Sequence, residues 1–106
     1  MFIRFDDLDL KDFFESEPIS IGEDGEATFI YSIMDSHLFS MTLVVETYTK
    51  RIDISVMQNN NTIFEGQFEN VSTIRKNEDV LLVEMEDEKR LVIKKSQCLG
   101  VYFENM

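Results

Sequence analysis

The amino-acid sequence predicts an all-β domain: an antiparallel meander forming a sandwich or rolled sheet, with one short N-terminal helix at most. Three observations carry this. From Ala27 onward, apolar residues alternate with period two in seven runs, spaced by roughly 10 residues. Short clusters of Asn, Asp, Glu and Lys separate the runs, leaving no room for long helices. The 106 residues are 43% hydrophobic with one Pro and four Gly, which is enough for a core and too little linker for disorder. Residues 1–106 therefore read as a single domain, an acidic N-terminal segment (1–26) followed by an antiparallel β-sheet (27–106).

Residues 1–26 hold nine acids and two bases, a net −7 of the chain's −11. Within DDLDLKDFFESE, Asp6 or Asp7 is placed to N-cap a short helix whose first-turn acids suit the helix dipole, and Pro18 ends it. Neither helical nor strand spacing fits all of Leu8, Leu10, Phe13 and Phe14; the two Phe rings either plug one end of the core or stand as surface anchors. Thr28 to Met34 is the first strand, and Asp35-Ser36-His37 is a turn. Phe39, Met41, Leu43 and Val45 give the next strand one wholly apolar face. Arg51 to Met57 and Thr62 to Phe68 form a hairpin about Gln58-Asn59-Asn60-Asn61, with Gly66 marking a bulge or making room for an aromatic from a neighbouring strand. A weaker segment around Val71 and Ile74 leads to a turn at Lys76-Asn77-Glu78-Asp79. Val80 to Glu86 and Lys89 to Lys95 form a second hairpin, and Leu99, Val101 and Phe103 close the series. The connections are too short for crossovers, so every pairing is expected to be antiparallel.

Residue chemistry removes most enzyme classes. Nucleophilic catalysis needs a base beside the nucleophile; the single histidine, His37, falls in a turn, and no elbow motif surrounds any serine. His37 and the single cysteine, Cys98, cannot fill a zinc shell. Neither DDLDLKD nor GEDGE matches the calcium-loop spacing, and no glycine-rich phosphate loop is present. The expectation is a non-enzymatic chain without a cofactor. One cysteine and an N-terminus without a long apolar run point to the cytoplasm.

Charge is the remaining signal. A net −11 on a body of about 13 Å radius of gyration disfavours nucleic acid and anionic membranes and favours a basic protein partner. The front segment concentrates that charge, so Asp6, Asp7, Asp9, Asp12, Glu15 and Glu17 are the candidate contact carboxylates, around apolar anchors at Phe13 or Phe14. Two other classes fit the composition. One is a self-assembling β module with an exposed strand edge, protected here by Lys94, Lys95 and Glu84. The other is a β-barrel whose Phe and Met residues line a small apolar-ligand cavity.

The stretch RIDISVMQNNNTIFEGQFENVSTI followed by DVLLVEMEDEKRLVIKK resembles small acidic bacterial immunity proteins encoded beside polymorphic or contact-dependent toxins. The resemblance spans residues 38–103 and carries no residue roles. It implies a non-catalytic inhibitor that occludes a cognate toxin, a nuclease in the leading reading. Replacing His37 by Ala should then leave inhibition intact, checked by assaying the folded variant against its partner. Loss of inhibition in a fully folded variant would restore the enzyme classes.

Overall fold

A computed structural model describes residues 3–22, 28–34, 39–78, 80–86, 88–94 and 100–105. The turn expected at His37 and the positions of Cys98, Lys95 and Asp87 lie outside the described residues. Eleven elements follow in chain order: β1 (Arg4–Phe5), α1 (Asp7–Phe14), β2 (Ile19–Ile21), β3 (Thr28–Met34), β4 (Phe39–Glu46), β5 (Arg51–Gln58), β6 (Asn61–Phe68), β7 (Val71–Asn77), β8 (Val80–Met85), β9 (Lys89–Lys94) and β10 (Gly100–Asn105). Strands β2-β3-β4-β5-β6 form one sheet in sequence order, and β1-β7-β8-β9-β10 form the other.

One pairing departs from the antiparallel expectation. Strand β1 runs parallel to β7, with Arg4 opposite Thr73 and Phe5 opposite Ile74. The length argument holds for sequence neighbours, whereas β1 and β7 are joined through α1 and the whole of the first sheet. Strands β1 and β2 are two and three residues long, too short for an alternation to register in the sequence.

The alternation buries one face of each sheet. Met41, Leu43 and Val45 of β4, and Ile52 and Ile54 of β5, belong to one continuous interior with Leu81 and Val83 of β8 and Leu91 and Ile93 of β9. Among the described strands both sheets are open, with β2 and β6, and β1 and β10, as edges. The fold is thus a sandwich, and the barrel reading is corrected: Met41, Met85, Phe13 and Phe14 are packed in the interior. The edge-protection argument is corrected as well, because Glu84 and Lys94 lie on β8 and β9, which have neighbours on both sides.

Two bulges explain local irregularities. Val71 and Ile74 are three apart, which breaks period two, yet both are buried. Val71 stands opposite Met85 and Thr73 opposite Glu84, so Ser72 is an extra residue that resets the parity. In β6 the extra residue is Ile63, between the pairs Met57–Thr62 and Val56–Phe64. Gly66 is therefore not the bulge. A Cβ there would lie 3.1 Å from a Phe68 ring carbon and 3.3 Å from a Phe64 ring carbon, so the glycine makes room for aromatics of its own strand. Asn59 and Asn60, with φ of 51° and 68°, form the left-handed two-residue turn that the hairpin twist favours.

Helix α1 closes the sandwich between β3 and β7. Leu10, Phe13 and Phe14 follow the i, i+3, i+4 spacing of one helical face and are at most 1% exposed, while Leu8, the residue that spoils the pattern, is 70% exposed. Phe14 stacks on Tyr31 of β3 with ring centroids 5.5 Å apart, and its edge meets Phe13 at 5.1 Å. Replacing Phe14 by Ala should cost about 3–5 kcal/mol in denaturant unfolding, the range for emptying a packed aromatic site. A cost below about 1 kcal/mol would show that α1 is peripheral to the core.

Candidate functional site

The sequence-derived acids gather around α1, and the local chain explains their placement. Asp6 is the N-cap: its backbone is extended (φ −98°, ψ 118°) and its carboxylate accepts from Leu8 N at 2.9 Å. Its carbonyl also accepts from Asp9 N and Leu10 N. Glu15 ends the helix in the left-handed conformation with φ of 56°.

Several of these acids hold the helix in place. The Tyr31 hydroxyl donates to Asp7 Oδ1 at 2.5 Å, fixing α1 to β3. Lys76 N donates to Asp9 Oδ2 at 3.3 Å, and the Lys76 ammonium meets Asp12 Oδ2 at 2.7 Å, fixing α1 to β7. Lys11 pairs with Asp7 at 2.9 Å and Glu17 at 3.1 Å. Burial pushes the Asp7 carboxyl up, but the hydrogen bonds from Tyr31 and Lys11 outweigh it and leave its pKa below the ordinary value. Burial, and then the bond to Asp7, push the Tyr31 phenol well above its usual range. The hydrogen bonds to Asp7 and Glu17 raise Lys11. A lowered carboxyl is the opposite of what general-acid chemistry needs.

Asp6, Asp7 and Asp9 open onto a shallow cleft of about 740 Å³ that is also lined by Arg4, Phe5, Thr73, Ile74, Arg75 and Glu84. Glu84 Oε1 accepts from Thr73 Oγ1 at 3.1 Å and from Arg75 Nε at 3.0 Å. The cleft thus brings together the front segment and the β8–β9 hairpin. Four carboxylates and two guanidinium groups line the cleft, with Glu84 and Arg75 paired to each other. Sequence reasoning missed Glu84, because its place beside the helix depends on Thr73 pairing with both Arg4 and Glu84.

Phe13 and Phe14 do not reach this surface. Both are in the core, which excludes them as contact anchors and leaves Leu8 as the exposed apolar side chain of α1. Among the described residues, no group of three or more His, Cys, Asp and Glu is placed to hold a metal ion. Among the same residues, no helix is long and apolar enough to cross a membrane.

Fold and site together define a small acidic β-sandwich with a carboxylate-rich cleft beside helix α1. No protein-family model and no curated protein matches the chain in sequence. In three dimensions the chain is similar to a chain of a contact-dependent growth inhibition toxin–immunity protein complex from Klebsiella pneumoniae 342. The TM-score is 0.82 at 23% sequence identity, over 98% of this chain and 98% of that chain. The likeness is one of fold.

The lowered Asp7 pKa makes a pH prediction. Its contribution to stability is present above the unfolded value and is lost as pH falls through the lower folded value, so the loss lies below about pH 4. Asp7→Asn should flatten unfolding stability in that window. Tyr31→Phe keeps the ring and deletes the donor, costing about 1–2 kcal/mol at neutral pH. An unchanged acid limb in Asp7→Asn would show that the Tyr31–Asp7 bond is not formed in solution.

Proposed function

We propose that the chain is a non-catalytic immunity protein that binds a cognate toxin in the cytoplasm and neutralises it. The observation that supports this best is the fold likeness, over 98% of both chains, to a member of a toxin–immunity protein complex. The charge agrees in sign: a net −11 chain suits a basic toxin, and a nuclease, which must attract phosphates, is basic for that reason.

In this reading the cleft beside α1 takes cations that the toxin would otherwise direct at its substrate, and the bound chain occludes the active site. Asp6, Asp12, Glu15 and Glu17 are exposed around the helix, with Leu8 among them as the apolar contact. Asp7 and Asp9 contribute from the cleft wall while tethered to Tyr31 and Lys76. Neutralising Glu84 should weaken binding together with Asp6 and Asp9, since all three line one cleft.

The test is titration of the purified chain with the toxin domain encoded beside its gene, by calorimetry and stopped-flow mixing. A one-to-one complex is expected, its on-rate falling at least tenfold between about 50 and 500 mM salt because exposed charges act through encounter and are screened. The variant Asp12→Asn/Glu17→Gln removes two exposed charges, 69% and 81% accessible, without touching the Tyr31 tether. It should stay folded and slow association about two- to tenfold at low salt. Absence of any complex overturns the reading; a complex with a salt-independent on-rate overturns electrostatic steering alone.

A further inference from the structure

We propose that β6, an edge strand among the described residues, accepts an extended, cationic strand of the toxin as a sixth strand of the β2–β6 sheet. The inference rests on the reading that the partner is a basic toxin, and it places a contact away from α1. In the sheet order β6 lies three strands from β3, on the order of 14 Å at the usual strand spacing.

Long strand edges with free backbone groups invite pairing, so proteins shorten them or place Lys, Pro or inward charges on them. The edge strands β1 and β2 are cut to two and three residues. Strand β6 is eight residues long, NTIFEGQF, with one charge and no Lys or Pro. Its residues are exposed except for Gly66 and Phe68, which are half-buried, and Ile63 and Phe64 are 54% and 39% exposed. Phe64 lies outside the set of side chains packed on the core. The bulge at Ile63 falls near one end, so Phe64 to Phe68 stay in unbroken register with β5 and present a regular edge.

The two sides of that edge differ in chemistry, and this specifies the occupant. Phe64, Gly66 and Phe68 alternate toward the interior side. Glu65 and Gln67 alternate toward the outer side, where they line a groove of about 220 Å³ with Thr42, Val44, Asp53 and Ser55. Asp53 shares Arg51 at 3.2 Å, while Glu65 has no ion pair among the described residues. An added strand points successive side chains to opposite sides. Its complement to β6 therefore alternates apolar residues, beside Phe64, with Lys or Arg, beside Glu65. Main-chain pairing supplies affinity and the two side-chain rows supply specificity. A second copy fits poorly, since it sets one net −11 chain against another and brings no cation on β6 to meet Glu65.

The test is amide hydrogen exchange of the wild-type chain, free and bound to the toxin domain encoded beside its gene, with Ile63→Lys/Phe64→Lys and Glu65→Lys measured for binding. Amides of β6 are expected to slow at least tenfold in the complex. The double variant should keep the wild-type unfolding midpoint and bind at least tenfold more weakly, and Glu65→Lys should weaken binding at low salt. Unchanged β6 exchange in a complex that forms overturns the edge proposal and leaves the immunity reading standing. So does wild-type affinity in the double variant. A dimer of the free chain that the double variant dissolves assigns the edge to a second copy and also overturns it. Failure of the wild-type chain to bind the toxin overturns both readings. If the double variant misfolds, the exchange measurement on the unmodified chain decides.

Discussion

Two open sheets that share one apolar interior need a closure between them, and the structure depends on how α1 supplies it. Leu10, Phe13 and Phe14 enter the interior from one helical face, and Phe14 lies on the ring of Tyr31. The polar side of the same two turns is then tied to both sheets, through Tyr31–Asp7 on β3 and Lys76–Asp9 and Lys76–Asp12 on β7. Each tether needs an acceptor on the helix. A helix that ends beside β-strand donors and carries an apolar plug is acidic for structural reasons before any partner is considered.

That double duty bears on function. Part of the front segment's −7 is engaged inside the molecule, and the charge facing outward is arranged by the sheets. Arg4, Thr73, Glu84 and Arg90 fall in one cross-strand row, and Arg75, by pairing with Leu82, faces the same outer side. Lys94 reaches that side opposite Val80. Cations are thus collected on the outer face of the β1–β10 sheet. The β2–β6 sheet has Arg51 held between Glu46 and Asp53, and β6 bears no cation. Under the proposed function this polarity favours approach of a basic partner to the β6 side, which bears no cation, whereas the helix cleft shares Arg4 and Arg75 with the cation-bearing face.

The strands were legible because burial on one face forces period two, which β4 and β5 show along their length, while β8 and β9 were legible as short apolar runs, Leu81 to Val83 and Leu91 to Ile93, bounded by polar turns. Strand β7 was faint because the bulge at Ser72 breaks the period, and β1 was silent because two residues carry no period at all. The cap was readable as Asp6 or Asp7, and the structure gives Asp6; the burial of Phe13 and Phe14 was readable only once Leu8 was left out of the pattern. The cleft was not readable. Glu84 joins Asp6, Asp7 and Asp9 through a parallel pairing of residues some 70 positions apart, and no local signal encodes that register. The resemblance to immunity proteins rests on strand style and charge, and the comparison of structures, at 23% identity, speaks for the fold.

The proposed role, protection of a cell from a toxin, is tested by growth. Cells expressing the toxin domain encoded beside the gene should stop growing, and co-expression of this chain should restore growth to the rate of cells without toxin. An unrelated acidic β-sandwich of equal charge should not. Arrested growth despite abundant, folded chain would contradict the claim.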